Sequence, residues 1–316
     1  MEHGNKRKIV IIGVGLVGST IAYTIMMNQI ASEIVLIDIS REKASGEALD
    51  MNHGMAFYSQ ITIRDGDYDD CADANIIIVT AGIGRKPGQT RIDLAKTNIS
   101  IIKDITKNIM KYAVNPLILV ISNPVDILTY VVQKESGLPP YRVIGSGTIL
   151  DTGRFRYLLS KHCKVDVRNV HAYIIGEHGD SQVPVWSCAN IAGKPFDEYC
   201  EACTKRCQNV NRNLIFEKTK NSGAEIIEKK GATFYGVSMA TARIASAIMG
   251  DENSVLTVSC SLTGEYGINN VALSLPYIIN RNGIDRIINL SLSEKEIAGL
   301  NDSADKLKSV IAEVYN

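Results

Sequence analysis

The chain has no surplus of charge, no apolar run of membrane length, no internal repeat, no low-complexity linker and no cysteine pattern that would staple a small fold. Lysine plus arginine equals aspartate plus glutamate at 34 each, so no net field draws the chain to a nucleic acid or an anionic membrane surface. The expected partner is therefore a small molecule or another copy of the chain. No stretch approaches the roughly 18 to 20 apolar residues needed to cross a bilayer. The segment Met1 to Lys8 is polar and basic and leads straight into a strand, which predicts a cytoplasmic protein. Seven cysteines, an odd number scattered from Cys71 to Cys260, fit reduced thiols better than a disulfide framework. Cys200, Cys203 and Cys207 have ligand-like spacing, but no fourth Cys or His lies nearby. No metal is expected, and these thiols are placed on or near a helix leading to Asn209.

What is present is core-forming material. At 316 residues, 45% hydrophobic and 22% charged, the chain can build one large or two moderate domains. Short apolar runs alternate with amphipathic segments, the pattern of a parallel sheet with crossover helices. Strands are expected at Lys8 to Ile12, Glu33 to Ile37, Ile76 to Thr80 and Leu117 to Ser122, and helices at Leu16 to Asn28, Arg41 to Met55 and Ile92 to Tyr112. Beyond about residue 145 the order is less regular. Helices are expected near Asp151 to Lys161, Thr204 to Lys230 and Tyr235 to Met249, and strands at Val170 to Ile175 and Val255 to Cys260. A last helix from Ser293 to Val314 opens with Ser293 and Glu296 as a capping box. The reading is α/β: a Rossmann-type doubly wound parallel sheet over residues 1–145, then an α+β catalytic domain over 146–316.

Gly13-Val14-Gly15-Leu16-Val17-Gly18 follows a strand and opens a helix, and Asp38 closes the next strand. In such a dinucleotide-binding turn the first glycine permits the tight bend, the second admits a pyrophosphate, and the third lets the helix pack on the sheet. Asp38 would accept hydrogen bonds from ribose hydroxyls. A carboxylate there repels a 2′-phosphate and Ile39 supplies no cation, so NAD is expected rather than NADP.

His178 lies within Gly176-Glu177-His178-Gly179-Asp180-Ser181, directly after an apolar strand. Imidazole is the side chain best matched to proton transfer near neutrality, and flanking glycines let the backbone approach a ligand. Asp151 and Arg154, three apart at the start of a helix, share a face. An aspartate can fix an imidazole's tautomer and favour its charged form, while an arginine can grip a carboxylate with two parallel bonds. The stretch Ala81 to Arg91 follows a buried strand and mixes three cations with three glycines and a proline. It reads as a lid that would exclude water and carry a guanidinium to the reacting oxygen.

Together and in this order, the glycine turn with Asp38, the lid, Ser122-Asn123-Pro124-Val125-Asp126, Leu150-Asp151-Thr152-Gly153-Arg154 and Gly176 to Ser181 resemble the lactate/malate dehydrogenase family, on its bacterial lactate side. The resemblance covers essentially the whole chain. It implies an NAD-dependent oxidoreductase of 2-hydroxy acids, with His178 as proton donor and acceptor, Asp151 as its partner, Arg154 as carboxylate clamp and Arg91 as the lid arginine. It places Asn123 beside nicotinamide and substrate, Thr233 in the pocket wall, and Val17, Lys43, Tyr68, Gly82 and Ser146 near NAD. Arg156 and His171 match positions that bind fructose 1,6-bisphosphate in allosteric members, and a homotetramer is implied. Arg85 departs from the lactate pattern, because a guanidinium there suits the second carboxylate of oxaloacetate better than the methyl of pyruvate. Reduction of pyruvate to lactate is the expected reaction, malate formation the alternative, and a non-catalytic NAD-binding regulator the reading from another class.

Overall fold

A computed structural model of the chain describes residues 7–84, 91–203 and 211–315. Twelve strands are found among them: β1 (Lys8–Ile12), β2 (Glu33–Ile37), β3 (Thr62–Asp65), β4 (Ile76–Val79), β5 (Ile118–Val120), β6 (Val143–Gly145), β7 (Val170–Ile175), β8 (Val183–Ile191), β9 (Lys194–Pro195), β10 (Ser254–Thr263), β11 (Asn269–Asn280) and β12 (Gly283–Ile287). Nine α-helices accompany them: α1 (Leu16–Met27), α2 (Arg41–His53), α3 (Arg91–Tyr112), α4 (Val125–Ser136), α5 (Ile149–Cys163), α6 (Phe196–Ala202), α7 (Arg212–Lys230), α8 (Tyr235–Met249) and α9 (Glu294–Val314).

β1, β2, β4, β5 and β6 are buried along their whole length, as strands covered by helices on both faces must be. They carry isoleucine, valine and leucine almost throughout, which is why continuous apolar runs marked all of them but the three-residue β6 in the sequence. The large sheet has nine strands in the order β12-β11-β10-β6-β5-β4-β1-β2-β3. β1 to β6 are mutually parallel in the doubly wound order. β1 lies between β2 and β4, so the chain reverses its direction of winding there and opens a crevice at the carboxyl ends of β1 and β4.

The second half divides its strands between two sheets. β10 pairs antiparallel with β6 through Ser259 and Gly145, and β10, β11 and β12 continue the parallel sheet as an antiparallel extension. β7, β8 and β9 form a small second sheet. Facing residues of the β10–β11 hairpin hold the segment after β7: Ser274 exchanges two main-chain bonds with Gly176 at 2.9 Å each, and Ser274 stands opposite Ser259.

α9 carries the expected capping box: the Ser293 hydroxyl accepts from the Glu296 amide, and the Glu296 carboxylate accepts from the Ser293 amide. α2 is shorter than expected and gives way to a 3-10 turn over Gly54–Phe57. Within the expected stretch from Thr204 to Lys230, α7 occupies Arg212–Lys230, and residues 204–210, with Cys207, lie outside the described residues. Cys200 and Cys203 pack against a small core of Phe155, Leu159, Cys163 and Phe196. Burial pushes the Cys71 and Cys260 thiols up to about 12, which keeps them protonated.

Candidate active site

The glycine turn is built as a cradle. Gly13 has φ +95°, and a Cβ there would lie 2.6 Å from the Ala81 amide nitrogen, so no larger residue fits between β1 and the end of β4. At Gly18 a Cβ would collide with the Gly13 carbonyl oxygen. Gly15 differs: nothing lies within 4 Å of a Cβ placed there. It is the N-cap of α1 and offers no side chain to the first-turn amides, which leaves those donors for an anion.

Asp38, at the end of β2, accepts the Val14 amide at 2.7 Å and the Ser40 amide at 3.0 Å. Its neighbour Ile39 is fully exposed, and Arg41 is paired with Asp65 at 3.0 Å. No cation is therefore aimed at the Asp38 carboxylate from this turn, and the residues present fit a dinucleotide with a free ribose 2′-hydroxyl.

From this crevice a cavity of about 600 Å³ runs into the second half of the chain. It brings together eight of the expected residues: Val17, Gly82, Asn123, Ser146, Asp151, Arg154, His178 and Thr233. Gly13, Gly15 and Asp38 sit at the neighbouring strand ends. Lys43 is exposed on the first turn of α2, and Tyr68 is half-buried in a 3-10 turn with its hydroxyl pushed up to about 12 by burial; neither lines the cavity. Arg85 and the side chain of Arg91, at the first residue of α3, lie outside the described residues. Arg156 and His171 are away from the cavity. The Arg156 Nε donates to the carbonyl of Val170 at 2.7 Å, and the next residue, His171, is exposed.

At the cavity floor Asp151 is 1% exposed and uses both oxygens. Oδ2 is 2.5 Å from His178 Nδ1, and Oδ1 accepts from Arg154 Nη1 at 3.0 Å. The i, i+3 spacing in the first turn of α5 is what lets one carboxylate bridge an imidazole and a guanidinium. Burial pulls the imidazole towards neutrality, but the Asp151 charge and hydrogen bond outweigh it, and His178 is pushed up to about 9. Asp151 is likewise opposed by burial, yet His178 and Arg154 hold it below the usual carboxylate range. The triad is thus charged at neutral pH, and Nε2 is the imidazole nitrogen not engaged by Asp151.

Asn98 and Ser259 carry no signal in the sequence, and Asp126 stands there only as part of the 122–126 motif. Asn98, 3% exposed on α3, accepts the Ile83 amide at 2.9 Å and donates to the Ile83 and Asn123 carbonyls, so it ties Ile83 to Asn123. Asp126 accepts the His178 amide at 2.7 Å and the Ser259 hydroxyl at 2.6 Å. Asp126 stands in a motif already singled out, but its partners are remote in sequence.

Comparison with known proteins decides the family. Residues 7–145 match the lactate/malate dehydrogenase NAD-binding domain, and residues 148–316 match the lactate/malate dehydrogenase α/β C-terminal domain. The chain belongs to the lactate/malate dehydrogenase family. Membership makes it an NAD-dependent oxidoreductase with an α/β fold. The chain is 55% identical over 307 residues to an L-lactate dehydrogenase of Thermoanaerobacter pseudethanolicus, covering 97% of this chain and 99% of that one. It is 54% identical over 305 residues to an L-lactate dehydrogenase of Acetivibrio thermocellus, covering 96% of each. Among solved structures, a minor L-lactate dehydrogenase from Enterococcus mundtii superimposes with a TM-score of 0.93 at 46% identity, covering 98% of each chain. None of these family members is named a malate dehydrogenase, so the alternative raised by Arg85 is not favoured.

Proposed function

We propose that this family member interconverts pyruvate and L-lactate, with the division of labour expected between residues 1–145, which hold NAD, and 146–316, which hold the acid. The observation that carries the reading is the buried Asp151 bridging His178 and Arg154 at the floor of a cavity that opens onto the glycine turn. Gly13, Gly15, Val17, Gly18, Asp38, Gly82, Asn123 and Ser146 would hold the cofactor, with Lys43 and Tyr68 at its periphery. When bound there, NADH supplies the hydride.

The chain's own groups do the rest. Arg154 spends one nitrogen on Asp151 and has further N–H groups with which to grip a carboxylate, which orients the 2-oxo acid. His178, protonated at neutral pH, donates its Nε2 proton to the carbonyl oxygen as negative charge grows there. Asp151 stabilises the imidazolium before transfer and keeps Nδ1 protonated after it. Thr233 closes the wall; by the family resemblance Arg91 would polarise the same carbonyl and Arg85 would read the substrate side chain. In the reverse direction neutral His178 takes the hydroxyl proton of lactate.

The deciding experiment compares kcat/KM for pyruvate and oxaloacetate in the wild type and in Arg85→Gln. A wild-type preference for pyruvate is expected. A preference for oxaloacetate that Arg85→Gln reverses would overturn the assignment in favour of malate, and no NADH consumption with either acid would favour a regulator without chemistry.

Arg156 and His171 we assign to a fructose 1,6-bisphosphate site in a cytoplasmic homotetramer serving fermentation. Support comes from their adjacency: Arg156 is pinned to the residue before an exposed imidazole. If the sugar bisphosphate changes neither the KM for pyruvate nor the size measured by sedimentation, the effector assignment falls.

A further inference from the structure

Three successive amides of the segment that carries His178 are each taken by a different element. The Gly176 N–H donates to the Ser274 carbonyl of β11 at 2.9 Å, the Glu177 N–H to the Ser303 hydroxyl of α9 at 2.8 Å, and the His178 N–H to Asp126 of α4 at 2.7 Å. The contact with α9 stands apart. Leu300, Ala304, Leu307 and Ile311 form the buried stripe of that helix, and Ser303 lies among them, 0% exposed. Buried hydroxyls on other helices, such as Thr106, Thr129 and Ser238, donate to the carbonyl four residues back. The Ser303 hydroxyl is turned to another part of the chain: it accepts from Glu177 and stands 3.1 Å from the Ser181 hydroxyl. The Glu177 carboxylate completes a ring. It accepts the Ser181 amide at 3.1 Å and the Ser181 hydroxyl, and it folds so close over Gly179 that a Cβ there would lie 2.7 Å from Oε1.

We propose that Ser303 is a positioning residue: through its ring with Glu177 and Ser181, α9 fixes the loop that presents the His178 imidazole to Asp151. The inference rests on the role assigned to His178. α9 suits the task because it is held at both ends. Glu296 in its first turn accepts the Ser187 amide and hydroxyl of β8 at 3.1 and 2.7 Å, and Tyr315, directly after its last residue, donates to Glu135 of α4 at 3.0 Å. Asp151 belongs to α5, so the imidazole and its partner carboxylate arrive on separate elements and meet at the 2.5 Å contact. A pair delivered in this way works only if each half is held to within about 0.5 Å by groups behind it. Arg154, on the same helix as Asp151, needs no such help from α9.

The test is the titration of the His178 imidazole, followed by NMR and assigned against His178→Gln, in the wild type and in Ser303→Ala. The charged groups that act on the imidazole are Asp151 and Arg154 on α5 and Asp126 on α4. Exchanging serine for alanine removes no charge, so any change in the titration reports geometry alone. The imidazole is expected to titrate lower by roughly half a pH unit or more, since a close opposite charge fully engaged moves a group by roughly one to three. In pyruvate reduction kcat should fall by roughly tenfold, inside the ~100-fold that a 1 Å misplacement can cost, with KM and NADH affinity within about twofold of wild type. An imidazole that titrates at or above the wild-type pH, whatever happens to Tm or kcat, overturns the proposal and leaves Ser303 a packing residue. If Ser303→Ala does not fold, Ser181→Ala opens the same ring from a half-buried position and is judged by the same titration. The NMR reading needs no turnover, so failure of the Ser303 inference is distinguishable from failure of the assigned reaction.

Discussion

Asp151 is the residue on which the electrostatics of the site converge, because one carboxylate bonds both His178, the proposed proton donor, and Arg154, the proposed substrate clamp. Its effect sets the pH dependence. A histidine raised to about 9 in the folded protein is protonated through neutrality, so pyruvate reduction should hold its kcat/KM up to that region and lose it as pH rises through it. Lactate oxidation, which needs the neutral ring, should rise over the same range. The same shift contributes stability that is fully present below the ordinary histidine pKa of about 6.5 and is lost as pH climbs to about 9. In Asp151→Asn the opposing burial is left uncompensated, and the alkaline limb should fall below the ordinary histidine range, which a pH–rate profile measures directly. His178→Ala should bind NADH normally by fluorescence titration yet lose roughly two or more orders of magnitude in rate, the scale of a lost acid-base group. The spacing of Asp151 and Arg154 was legible because helix geometry is local. Asp126 and Ser259, 133 residues apart, were not, since no local period links a helix start to a distant strand.

Among the elements, those with a strong internal pattern could be read and the short or mixed ones could not. β1, β2 and β4 announce themselves as unbroken apolar runs, and α9 by its cap. β3 and β6 have only four and three residues and depend on neighbours for their pairing. β11 alternates neither cleanly polar nor apolar because most of its length is buried in the sheet extension. In the turn between β1 and α1, Gly13 and Gly18 are demanded by packing, and only Gly15 is open. Gly18→Ala should therefore lower both NADH affinity and Tm, since the new methyl meets the Gly13 carbonyl. Gly15→Ala should leave Tm within about 1 °C, the range of substitutions that meet no contact, and lower NADH affinity alone. Equal losses of Tm in the two variants, measured by thermal unfolding with and without NADH, would contradict this assignment.

At the scale of the whole molecule, the two halves matched by the family share one sheet, a feature that the less regular order of the second half concealed. A fragment ending at residue 145 would present β6 with its β10 neighbour removed, an open edge of apolar strand. Expressed alone, residues 1–145 should aggregate or associate through that edge; a soluble, monomeric fragment by light scattering would show that β6 is protected without β10.

The facing pair Ser259 and Ser274 gives the hairpin a significance beyond pairing. Ser259 reaches Asp126, and Ser274 exchanges main-chain bonds with Gly176 and accepts the Thr148 amide at 3.0 Å. Side chains alternate across a strand, so a slip of β10 by one residue would bring Val258 or Cys260 to the position of Ser259. The register of a strand with no catalytic group of its own thereby acts as a check on assembly: a chain that closes its sheet one step out of phase leaves a buried carboxylate without its hydroxyl, and such a misfolded form is penalised at the place where the proton is handled.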